Sequence, residues 1–167
     1  MNDLFTNRSC VFSPCRAYRY RLDIRWGEGR LCNFIMLNPS TADEIANDPT
    51  VERCERRARK WGYAGLVVTN LFAFRATNPC VMKAAADPVG PENDQHIFNA
   101  AYDAGMVLCG WGNHGCHGGR SKAVREMLRE ARIECFALTT CANGEPGHPL
   151  YVSYDVKPKL MAGERPW

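Results

Sequence analysis

Apolar and polar side chains alternate most sharply over 18–26, "YRYRLDIRW". Tyr18, Tyr20, Leu22, Ile24 and Trp26 take every second position, with Arg19, Arg21, Asp23 and Arg25 between them. A period of two predicts a strand with one covered face. Gly27-Glu28-Gly29 predicts a tight connection and 30–37 a returning strand, so 17–37 is expected to form an N-terminal hairpin. The second arm ends in Phe34-Ile35-Met36-Leu37, apolar enough to lie inside a sheet.

The pattern then changes period. Asp48 predicts an N-cap, with Pro49 at the first position of a helix over 49–61. "GLVVTNLFAF", 65–74, is β-branched and aromatic, as a buried strand is. The segment 90–104 opens with proline and acids and predicts a helix, and 105–112 a short buried strand ending in glycines. Ser121 can cap a helix to Arg132, followed by a last core strand at 133–140 and a loop-rich segment at 141–167. Alternating strands and helices predict one α/β domain over 1–167. Its central sheet is expected to be mostly parallel with helices on both faces, and the 18–26 strand antiparallel at its side. The strands expected to run parallel lie near 31–37, 65–73, 105–110 and 133–138.

Such sheets bind ligands beyond the carboxyl ends of their strands. Four polar segments are expected to meet there: Asn38-Pro39-Ser40-Thr41, Asn70, Gly110-Trp111-Gly112-Asn113-His114 and Gly147-His148-Pro149. Asn38 offers one acceptor and two donors on a turn stiffened by proline. It either holds a water or polar ligand edge, or simply ends the strand as an Asx turn. Asn70, inside an apolar run, pairs either with neighbouring backbone or with a ligand amide. His148 is either a donor to an oxygen gaining charge or a solvated loop residue.

Composition removes several classes. No stretch approaches the roughly 18 apolar residues of a membrane helix, and the start lacks a signal-peptide pattern. The nine cysteines are scattered, so they read as reduced thiols and the expected compartment is the cytoplasm. A net charge of +3 is too small to demonstrate a nucleic-acid partner. Arg53, Arg56, Arg57, Arg59 and Lys60 either contact phosphates or, being interleaved with Glu52 and Glu55, form a solvated helix face. His114-Gly115-Cys116-His117 lacks the second ligand pair of a zinc site, so no metal and no cofactor is expected. "HGGRSK", 117–122, either greets a phosphate at a helix start or forms a turn and cap.

"IMLNPSTAD", "NDPTVERC", "WGYAGLVVTNLFAFRAT", "ADPVGPEND", "CGWGNHG" and "GHPLY" together resemble the bacterial and phage family called domain of unknown function 1643, over about 20–167. More distantly, the order of signals is similar to the uracil-DNA glycosylase superfamily. That resemblance implies a uracil-DNA-glycosylase-like fold with Asn38 and His148 as catalytic residues, orienting the attacking water and steadying the departing base. It implies that Asn70, with Ser40 and Trp111, binds the base, and that Leu150 or Tyr151 wedges into the duplex. Asp43 can assist the water if its loop folds inward. The chain differs from the superfamily in lacking an acid in the first turn and in reading His-Pro-Leu-Tyr rather than His-Pro-Ser-Pro.

Two functions follow. One is a DNA-glycosylase-like hydrolase acting on the N-glycosidic bond of a flipped base or modified nucleotide. The other is an inactive nucleic-acid or nucleotide binding module of the same fold. The expected partner of either is nucleic acid, DNA before RNA, or a nucleotide, with no membrane and no obligate protein partner.

Overall fold

A computed structural model describes residues 5–163. The first four residues, and the last four of the loop-rich 141–167 segment, lie outside the described residues. The strands are β1 (Asn7–Phe12), β2 (Arg19–Arg25), β3 (Leu31–Met36), β4 (Gly65–Asn70), β5 (Met106–Cys109), β6 (Cys135–Ala137) and β7 (Lys159–Leu160). The helices are α1 (Pro49–Lys60), α2 (Pro79–Ala84), α3 (Asn93–Asp103) and α4 (Arg120–Glu130). Short 3₁₀ turns occupy Asn113–Gly119 and Pro149–Tyr151.

All seven strands form one sheet in the order β1-β2-β4-β3-β5-β6-β7. The four central strands run parallel, β4 beside β3, β3 beside β5 and β5 beside β6. The β1, β2 and β7 pairings are antiparallel. The sheet is therefore mixed rather than mostly parallel, because antiparallel strands close both of its sides.

The expected hairpin is absent. β2 pairs with β1 and β4, whereas β3 lies beyond β4 and pairs with β4 and β5. Cys32 to Met36 are all buried, and a strand buried on both faces belongs where both of its edges are paired. The intervening residues arch over the start of β4, where Trp26 and Gly27 both donate to the Ala64 carbonyl and Ala64 donates to that of Arg30. Gly65 makes this insertion possible. A Cβ there would stand 2.5 Å from the Ile24 carbonyl oxygen and 2.7 Å from the Leu31 side chain.

The alternation over 18–26 is also broken. Val11 faces Arg21 while Phe12 faces Arg19, so Tyr20 is the extra residue of a bulge. Tyr20 stacks on His96 of α3, whereas Leu22 and Ile24 pack on the other side with Val51, Cys54 and Ala58 of α1. Arg19, one residue before the bulge, reaches the Ala42 carbonyl in that same α1-side cluster.

Helices cover both faces. α1 starts as its sequence predicts, with Asp48 accepting from the Val51 amide at 2.9 Å and Pro49 at the first position. On the opposite face Ile97, Ala101, Val124 and Leu128 of α3 and α4 bury Ile35, Leu71 and Val107. Ser121 does not cap α4. That helix begins at Arg120 after two glycines of positive φ, and the Ser121 hydroxyl donates to Glu145 at 2.8 Å.

Candidate functional site

A cleft of about 990 Å³ opens on the α1 side of the sheet, at the carboxyl ends of β3 and β4. Asn38, Ser40, Asn70, Trp111, His148 and Tyr151 all line it, together with Arg19 and Asp48. The segments that carry them are far apart in sequence. Parallel strands bring them together because each ends at the same edge.

Asn70 is the last residue of β4 and is 1% exposed. Its backbone surroundings are held from three sides. Leu71 and Phe72 donate to the Met36 and Leu37 carbonyls, and Asn93 Nδ2 donates to the carbonyls of Asn70 and Leu71 at 2.9 and 3.0 Å. Arg120 Nε adds a bond to Leu71 at 2.7 Å. The side chain itself is not so provided for: among the described residues Asn70 Nδ2 has no acceptor. A buried amide group left unpaired costs about 1–3 kcal/mol, so an acceptor brought within reach of Nδ2 by a ligand would relieve a cost the fold carries.

His148 caps the 3₁₀ turn Pro149–Tyr151, its Nδ1 accepting from the Leu150 amide at 3.2 Å. An accepting Nδ1 fixes the neutral ring as the Nε2–H tautomer. Burial holds the imidazole below its ordinary value, against a smaller raising pull from Asp48. The ring is thus a neutral donor through Nε2–H.

The segment after His148 is gripped by α1. Arg53 donates to the Val152 carbonyl at 2.6 Å, and Arg57 donates to those of Val152 and Ser153. Both guanidinium groups also lie over the Tyr154 ring. Lys60 reaches the Tyr154 carbonyl and the Asp155 carboxylate, while Arg56 and Arg59 pair with Glu52 and Glu55. Neither a phosphate-contacting row nor a purely solvated face describes this helix: it anchors the loop that carries His148. Tyr151, at the tip of that loop, is 88% exposed.

Asn38 does structural duty in part. Its Nδ2 donates to the Ala76 carbonyl at 2.7 Å and to that of Pro39 at 3.2 Å, tying the turn to the loop after β4. Its Oδ1 remains as an acceptor. Ser40 donates to Thr77 Oγ1 across the same junction. Trp111 is 1% exposed, with its indole N–H on Glu145 and its ring packed against Gly115, where a Cβ would approach within 2.0 Å. It walls the cleft and presents no free polar atom to it.

Asp43 does not join the cleft lining. Its Oδ1 accepts from the Ile45 and Ala46 amides, which hold the carboxyl below the usual range and tie it to its own loop. The carboxylate that does reach the cleft is Asp48, whose signal as a helix cap concealed a second position. Arg19 is the other residue that pattern reading misses, since strict alternation places it on a polar outer face.

The remaining motifs disperse. His114 Nδ1 pairs with Lys83 Nζ, Cys116 with the Asn113 carbonyl, and His117 lies against Phe72. Among the described residues no group of three His, Cys, Asp or Glu side chains is placed to hold a metal. In "HGGRSK", Arg120 is committed to Leu71 and Asp94, and Lys122 lies exposed 4.0 Å from Glu126. Cys10, Cys15, Cys32, Cys54, Cys80, Cys116, Cys135 and Cys141 are free thiols. No described helix is long and apolar enough to cross a membrane.

A family model described as "Protein of unknown function (DUF1643)" matches residues 19–150. No curated protein and no solved structure matches the chain.

Proposed function

The chain belongs to the DUF1643 family, whose description names no activity, and we propose from its cleft that it is a DNA-glycosylase-like hydrolase. Its substrate is the N-glycosidic bond of a flipped base or modified nucleotide. Asn70 carries the proposal: it lines a cleft large enough for a nucleotide, and its buried amide Nδ2 lacks a protein partner. An amide donates and accepts side by side, which suits the pairing edge of a base.

The other groups supply the reaction. Water attacks C1′ of the sugar as the C1′–N bond breaks, and the bonding electron pair leaves with the base. His148 Nε2–H donates to the oxygen on which that charge collects. Asn38 Oδ1 accepts a hydrogen bond from the water and orients it. Asp48 provides the carboxylate that the Asn38-Pro39 turn lacks, and takes the water's proton. Tyr151, exposed at the rim, fills the space vacated by the flipped base. The distant resemblance to uracil-DNA glycosylases supports this assignment through the order of the Asn-Pro turn, the asparagine-bearing strand and the His-Pro loop.

A binding module is the second reading, and Asn38 favours it: both bonds of its Nδ2 are spent on the fold. Incubation with oligonucleotides carrying uracil, hypoxanthine, mismatches and phage-type modified bases, followed by alkaline cleavage, separates the two. Base release from any of them supports the hydrolase. Binding without release supports the module.

A further inference from the structure

Arg19 is 2% exposed, lines the cleft, and spends one of its five N–H donors on the Ala42 carbonyl. Its Nε has no acceptor, and among the described residues no carboxylate forms an ion pair with it. Cys10 is no counter-ion, because burial pushes its thiol up to about 11, and the Asp48 and Asp43 carboxylates act on Arg19 only from beyond ion-pair distance, too weakly to offset its burial. A buried cation without a partner is a large desolvation cost that folds normally avoid.

Arg57 provides an internal comparison. It too is fully buried without a carboxylate, but it bonds two carbonyls, lies over Tyr154 and is absent from the cleft lining. Arg57 is a fastener. Arg19 has the same burial, a single carbonyl and an opening onto the cleft. The bulge at Tyr20 puts it there, since without the extra residue Arg19 would share the α3 side with Arg21 and Asp23. Bulges commonly re-aim a side chain beside a functional site.

We infer that Arg19 seats a phosphate group at the β2 side of the cleft, a site distinct from the base-reading amide of Asn70. A guanidinium presents paired N–H donors that match two phosphate oxygens, and the anion supplies the missing counter-charge. The seat stands on Arg19 alone. That the phosphate belongs to a nucleotide rests on the proposed function. The phosphate is either a terminal monoester or a phosphodiester within a strand.

The test uses 2-deoxyribose 5-phosphate, 2-deoxyribose and inorganic phosphate, titrated at constant ionic strength into the full chain, Arg19→Gln and Arg56→Gln. Arg56 is an exposed arginine of α1 and controls for loss of one charge. Both phosphate probes should raise the Tm of the unmutated protein and of Arg56→Gln, while deoxyribose does not. Arg19→Gln should bind deoxyribose 5-phosphate about ten-fold more weakly or worse. An unmutated protein indifferent to both phosphates overturns the inference even if Arg19→Gln fails to fold. So does an Arg19→Gln protein that responds like the unmutated one. Competition by an unphosphorylated single strand assigns the seat to a phosphodiester, and competition by nucleoside 5′-monophosphates alone assigns it to a monoester. Asn70→Ala should keep the phosphate response, so a protein that binds phosphate through Arg19 yet releases no base retires the hydrolase and not the seat.

Discussion

The Leu150 amide donates to His148 Nδ1 at 3.2 Å, and this one bond decides which proton the imidazole carries into the cleft. The bond requires a neutral ring, as does the burial that holds His148 below its ordinary value of 6.5. Below that pH the unfolded chain takes up a proton that the folded ring resists, so acid favours unfolding. Stability should therefore fall as pH drops through 6.5 toward the folded-state value, with no contribution from this group at higher pH. Urea midpoints between neutral and mildly acidic pH should show this slope, and His148→Gln should flatten part of it. His96, also lowered by burial, keeps the remainder. An unchanged slope in the variant would remove His148 as a neutral donor.

Much of this architecture was legible in the sequence, and the failures have physical causes. Helix α1 is written in Asp48 and Pro49, and β3, β4 and β5 in continuous apolar runs. The cleft followed from where those strands end. The hairpin failed because periodicity reports which faces are covered and not which strand is the neighbour; only Gly65 hinted at the insertion. Arg19 was hidden by a one-residue bulge that leaves the alternation of residue types intact while reversing the side chain. Asp48 was hidden by doing two things at once.

Gly65→Ala tests the insertion. Its Cβ would meet the Leu31 side chain and the Ile24 and Arg25 backbone, and that backbone cannot withdraw without unzipping β4. The variant should lose more than about 2 kcal/mol or fail to accumulate as folded protein. A urea midpoint like that of the unmutated chain would contradict the arch over Ala64.

Arg57→Ala removes the guanidinium bonds to the Val152 and Ser153 carbonyls, leaving Arg53 alone to hold Val152 from α1. It should cost about 1–3 kcal/mol. Amide exchange should accelerate over 148–156 before it does in the central strands, because α1 no longer grips the loop. Uniform acceleration across the sheet would instead make Arg57 an ordinary core residue.

Asn38→Ala loses both the staple to Ala76 and the acceptor proposed for water. It should lower stability by about 1 kcal/mol. Base release under single-turnover conditions should fall at least about ten-fold while oligonucleotide affinity changes less than about three-fold. A release rate like that of the unmutated protein would leave Asn38 as a staple only.

Asn70 reads the base in the proposed reaction. Single-turnover base release and equilibrium binding should be measured on one reactive oligonucleotide, for the unmutated protein, Asn70→Ala and Asn70→Asp. Both variants should fold, since the Asn70 side chain supports nothing in the protein through its Nδ2. Their release rates should fall about 10²-fold or more, and their discrimination between the reactive base and its unmodified counterpart should disappear. Retained discrimination in a folded Asn70→Ala protein would show that this buried amide does not read the base.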